Sequence, residues 1–115
     1  MHNFEKLNVW QKAVLFANRA YFHSRSFPKE EMFGLTSQIR RAAVSIPANI
    51  AEGKGRYHKK EYIQFLYMAR GSAYEVMTLV QVAKNLKYLS PLIAEELLTL
   101  LAEVTAMLNG LIKSL

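Results

Sequence analysis

Six basic residues, Arg40, Arg41, Lys54, Arg56, Lys59 and Lys60, fall between positions 40 and 60, where Glu52 is the only acid. The segment Gly53-Lys54-Gly55-Arg56-Tyr57-His58-Lys59-Lys60 combines cationic side chains, two glycines and an aromatic ring. Such a set can hold phosphates through charge and backbone N–H groups while Tyr57 stacks on a base. A solvated basic turn is the alternative. A second group, Gln38, Arg41, Ser45, Asn49 and Glu52, recurs every three or four residues and forms one ridge of a helix. It reads either as a solvated face or as a polar network shared with a neighbouring helix. Glu75 is the expected contributor from that neighbour, because Ala73, Tyr74, Val76 and Met77 surround it. A carboxylate buried there would need pairing, and Arg41 or Arg40 is the natural partner.

Other chemistry lacks its residues. The three histidines, His2, His23 and His58, have no second histidine at metal-ligand spacing, the Glu-x-x-His and zinc-helix patterns are absent, and there is no cysteine. Ser45 and Ser72 have no histidine nearby in sequence to activate them. Gly53-Lys54-Gly55-Arg56 is too short for a phosphate loop and follows a helix pattern, not a strand. The expectation is a protein without catalytic residues, metal or cofactor.

The elements that position these residues are all helical. Asn8 and Gln11 read as a capping box opening a first helix, whose apolar stripe is Val9, Trp10, Ala13, Val14, Ala17, Ala20 and Tyr21. Residues 28–34 form a turn, and Thr36 or Ser37 caps a second helix with Ile39, Ala42, Ala43, Ile46, Ile50 and Ala51 on its inner side. Pro47 inside that helix predicts a kink or local break. Gly53 is read as its stop, at positive φ. A third helix spans about 58–87, and Gly71-Ser72 within it is read as a close contact with the small residues of helix two. Ser90-Pro91 opens a fourth helix running to the end. The expected fold is all-α: one domain, residues 1–115, an antiparallel up-and-down four-helix bundle with a kinked second helix. Helix three is apolar over more than one stripe, from Tyr62 to Met68 with only Gln64 between, and that surplus predicts a homo-oligomer.

Fifteen basic and nine acidic residues give a net charge of +6. The excess lies in the middle of the chain, since residues 91–115 carry Glu95, Glu96 and Glu103 against Lys113. A basic field of this kind favours RNA or DNA as a partner. The amino terminus lacks the pattern of a signal peptide, and charges interrupt every long apolar stretch, so a cytoplasmic protein outside the membrane is expected.

The run from Gln38 through Arg40-Arg41-Ala42-Ala43-Val44-Ser45-Ile46-Pro47-Ala48-Asn49-Ile50-Ala51-Glu52 to Gly53, followed by Gly55-Arg56, resembles the four-helix-bundle family also called the intervening-sequence proteins of bacterial 23S ribosomal RNA, or the S23 family. Phe4-Glu5-Lys6-Leu7 with Trp10, Phe27-Pro28, Phe65-Leu66, and Ala69-Arg70-Gly71-Ser72 with Glu75 add to the likeness. His58 departs from it, standing where the family has a serine or threonine to cap helix three. The resemblance implies four antiparallel helices, a homopentamer with a central pore and a link to RNA. The chain is also similar to the accessory protein of diversity-generating retroelements, which engages a reverse transcriptase and nucleic acid. The expected function is therefore a non-catalytic, oligomeric nucleic-acid-binding protein acting through Arg40, Arg41, Lys54, Arg56, Tyr57, Lys59 and Lys60. The alternative is a scaffold ring that docks a partner protein.

Overall fold

Four helices, α1 (Asn8–Ser24), α2 (Leu35–Lys54), α3 (Lys59–Asn85) and α4 (Pro91–Ser114), form an antiparallel bundle in a computed structural model that describes residues 2–115. Short 3-10 turns at Asn3–Lys6 and Lys29–Glu31 precede α1 and α2. α2 and α3 share the longest seam, and α1 packs on α2 and α4. The shape is a rod of 43 × 23 × 23 Å, its length set by the longest helix. One tip carries the α2–α3 connection and both ends of the chain. The other carries the α1–α2 and α3–α4 connections.

The core lies where four apolar stripes converge. Phe16, Ile46, Ile50, Leu66, Leu97, Leu101 and Leu108 are its largest fully buried side chains, with Val76, Val80 and Val104 beside them. Phe16, not Tyr21, completes the inner face of α1: Tyr21 is exposed, with the Arg40 guanidinium over its ring at 4.7 Å. On α3 the surplus apolar residues Tyr67, Met68 and Tyr74 stay exposed in the single chain.

Helix ends differ from the sequence expectation. Asn8 is the first residue of α1 rather than its cap, and Gln11 donates to the Glu5 carbonyl at 2.8 Å. The Glu5 carboxylate instead accepts from the His2 backbone N–H at 2.7 Å, one turn upstream. At α2 neither Thr36 nor Ser37 caps. Glu31 reaches forward to accept from the Leu35 N–H at 3.2 Å. His58 flanks α3 without a side-chain cap, as an imidazole there would. Ser90 caps α4 as expected, accepting from the Ile93 N–H at 3.2 Å, with Pro91 in the first helical position.

α2 runs through Pro47 without a break. Gly53 does not end it: the helix continues to Lys54, and no glycine among the described residues has positive φ. Glycine is required at 53 for space, because a Cβ there would lie 2.6 Å from the Phe65 Cβ and 3.3 Å from the Tyr62 carbonyl. Gly71 is the reverse case. A Cβ at 71 would meet nothing within 4 Å among the described residues, so the expected close approach to α2 is made by Ser72, whose hydroxyl meets Ser45 at 2.8 Å, and not by Gly71. α3 ends in a Schellman turn, with Tyr88 N–H donating to the Ala83 carbonyl at 2.9 Å and Lys87 N–H to the Lys84 carbonyl at 3.0 Å. Lys87 takes the left-handed conformation this turn needs, at φ 67°.

Candidate nucleic-acid interface

Five of the seven expected contact residues come together at one tip. Gly53 lets α2 and α3 meet closely, and the chain crosses between them in the few residues from Gly55 to His58. Lys54 lies over the Tyr62 ring at 5.5 Å. Arg56 pairs with Glu52 at 3.1 Å, one helical turn back, and stands 4.7 Å over the Phe65 ring. Tyr57 is 94% exposed, its ring edge-on to His58 at 5.0 Å. Lys59 and Lys60 are exposed and make no ion pair among the described residues.

The two lysines sit in the first turn of α3, where the helix dipole is already positive. Glu61 offsets part of that charge. The arrangement costs the free protein a few tenths of a kcal/mol, about 0.3 or more per lysine, which an anion placed there would recover. A shallow groove beside it, lined by His2, Asn3, Phe4, Ala51, Lys54 and Gly55, shows that the amino-terminal turn borders the same surface.

Arg40 and Arg41 do not belong to this tip. They lie roughly 20 Å away along α2. Arg40 is tied to α1, its Nε donating to the Ser24 hydroxyl at 2.9 Å and a terminal nitrogen to the Tyr21 carbonyl at 3.4 Å. With its plane over Tyr21 as well, it serves helix packing. Helical spacing explains the difference, since adjacent residues point about 100° apart. Arg41 is exposed and faces a groove on the α2–α3 seam.

The polar ridge forms in part. The Ser45 and Ser72 hydroxyls meet at 2.8 Å, and Asn49 Nδ2 donates to the Ser45 carbonyl at 2.9 Å and its hydroxyl at 3.0 Å. Glu52 belongs to the tip through Arg56. Gln38 is exposed and makes no side-chain hydrogen bond among the described residues. Glu75 is exposed, not buried, and pairs with neither Arg40 nor Arg41. Its apolar neighbours in sequence mislead because the inner stripe passes through Ala73 and Val76, which leaves position 75 turned outward.

Two further residues were given no role from sequence. Phe33, in the turn before α2, is 96% exposed. It belongs to no helical stripe, and that is the signal that could have marked it. Arg70 donates to Asn109 Oδ1 at 3.0 Å and lies over the Tyr67 ring at 4.8 Å, keeping a cation on the exposed α3 face. Among the described residues no group of histidines and carboxylates could hold a metal ion, and no helix is long and apolar enough to cross a membrane.

Residues 5–110 match the family model described as 23S rRNA-intervening sequence protein. The fold is similar to that of a solved protein of unknown function from the S23 ribosomal protein family of Bacteroides thetaiotaomicron, with a TM-score of 0.82 and 25% identity, over 91% of this chain and 98% of that one. No curated protein matches the chain.

Proposed function

The chain belongs to the 23S rRNA-intervening sequence protein family, and we propose that it is a non-catalytic, oligomeric protein that binds RNA through the tip formed by Lys54, Arg56, Tyr57, Lys59 and Lys60. The observation that carries this reading is the pair Lys59 and Lys60. Among the described residues they are unpaired cations, and they stand at the positive end of a 27-residue helix beside a nearly naked tyrosine. Self-assembly into a ring, with five subunits as the expected number, would repeat this weak patch and convert it to avidity. The exposed Tyr67, Met68 and Tyr74 supply apolar surface for such contacts.

The test is fluorescence anisotropy with a labelled structured RNA across a salt series. Four tip cations predict a log–log slope of about −3 per engaged subunit on single-stranded segments, and Lys59→Ala with Lys60→Ala should reduce it by about one unit. Absence of binding at low salt would refute the reading. Light scattering should give a mass well above the 13.2 kDa of one chain.

A partner-docking scaffold is the second reading, favoured by Leu92, 77% exposed at the start of α4 and far from the basic tip. Capture of one protein after nuclease treatment, with no RNA binding, would favour it.

A further inference from the structure

We infer that the groove on the α2–α3 seam is a pocket for a splayed-out guanine base of single-stranded RNA, with Glu75 and Arg41 reading its edge and Phe33 stacking on its face. The inference rests on the RNA-binding reading above and adds to it a second site with base selectivity. The groove has a volume of about 530 Å³ and is lined by Phe33, Ser37, Gln38, Arg41, Ser45 and Glu75, with Ala42 and Ser72 at its base.

Antiparallel packing orders these groups in rungs. Ser45 and Ser72 meet at 2.8 Å. One turn toward the start of α2 comes Arg41, and one turn toward the end of α3 comes Glu75, so the two flank the seam at the same level. Another turn along stand Gln38 and Ser37, then Phe33. Arg41 and Glu75 line one groove yet form no ion pair within 4.0 Å. Among the described residues both keep their full side-chain hydrogen-bonding capacity, as do Ser37 and Gln38.

A carboxylate in the groove disfavours phosphate. It favours a group that offers donors, beside acceptors for the guanidinium. Among the four RNA bases only guanine presents two adjacent donors, N1–H and the N2 amino group, next to acceptors at O6 and N7. Glu75 would accept from the two donors and Arg41 would donate to the acceptors, both as charge-assisted bonds. Phe33 lies where a base entering the groove would cover it. An aromatic ring left 96% exposed is otherwise unexplained within the chain.

The experiment uses the full chain and fluorescein-labelled eight-nucleotide RNAs, uridine-rich with one central guanosine, inosine or adenosine, compared at each point of a salt series. Inosine keeps O6, N7 and N1–H but lacks the amino group. Guanosine should bind about tenfold tighter than inosine, and Glu75→Gln should abolish that difference, while adenosine, which also lacks the O6 acceptor for Arg41, stays weaker. Phe33→Ala should weaken all three RNAs about equally. Both side chains are exposed, so the variants fold, which circular dichroism checks. Equal binding of guanosine and inosine by the wild type overturns this inference, as does a preference for guanosine over inosine that survives Glu75→Gln. If that equal binding still falls steeply with salt, the basic tip stands without the pocket. Binding of none of the RNAs overturns both readings and leaves protein docking.

Discussion

Three backbone positions make opposite demands on their side chains. At Gly53 the obstacle is the Phe65 Cβ, 2.6 Å from where a methyl would sit, and a Cβ cannot rotate away. Gly53→Ala should therefore destabilise the protein by about 2 kcal/mol by prising α2 from α3 beside the basic tip. Gly71→Ala meets nothing and should stabilise the isolated chain by up to about 1 kcal/mol through helix propensity alone. Lys87→Gly should stabilise by about 1 kcal/mol, since glycine carries no left-handed penalty in the Schellman turn. Urea denaturation of the three variants checks all three signs. The sequence marks both glycines as unusual, yet it assigns close contact to Gly71 and a turn to Gly53. The difference depends on which face of α3 lies against α2, a matter of tertiary rotation that spacing within one helix leaves open. The same holds for Glu75, whose neighbours in sequence are not its neighbours in space, and for Arg40 and Arg41, adjacent in the chain but turned to different helices.

At the scale of elements, the tip opposite the basic loop is closed by a clasp. Glu31 caps α2 through one carboxylate oxygen and accepts the Tyr88 hydroxyl through the other at 3.1 Å, while the Phe27 ring packs on Tyr88 at 5.5 Å. One side chain thus joins the α1–α2 connection to the α3–α4 connection. The hydrogen bond to Glu31, with a smaller contribution from burial and then from the charges of Glu31 and Glu30, holds the Tyr88 phenol proton above its ordinary pKa of 10.0. The folded chain therefore keeps this proton more tightly than the unfolded one. The clasp contributes in full below pH 10 and is lost as pH rises through the folded pKa. The melting-temperature difference between wild type and Tyr88→Phe should shrink as the buffer is raised above about pH 10. A constant difference would show that the clasp contributes nothing through its proton. Helix number, order and the Ser90-Pro91 start were legible from periodicity and capping residues. The clasp was not, because it joins residues 57 positions apart.

At the scale of the molecule, the family resemblance and the apolar stripes together make the bundle readable from the order of the residues, and the broad α3 face, exposed in one chain, is the part that a single subunit leaves unexplained. The candidate site divides differently. Its basic tip follows from a local run of residues, whereas the groove needs α2 and α3 in register, which only folding supplies. The roughly 20 Å between Lys54 and Arg41 then acts as a ruler. A strand touching both must lie along the rod's long axis, and that span corresponds to about six stacked nucleotides. On the RNA-binding reading proposed above, oligonucleotides shorter than this would occupy the tip or the groove but not bridge them. Affinity measured against length should therefore rise in a step at about six nucleotides and not as a smooth slope. On that same reading, the separation of Arg41 from the loop would set a minimum length of strand able to engage both.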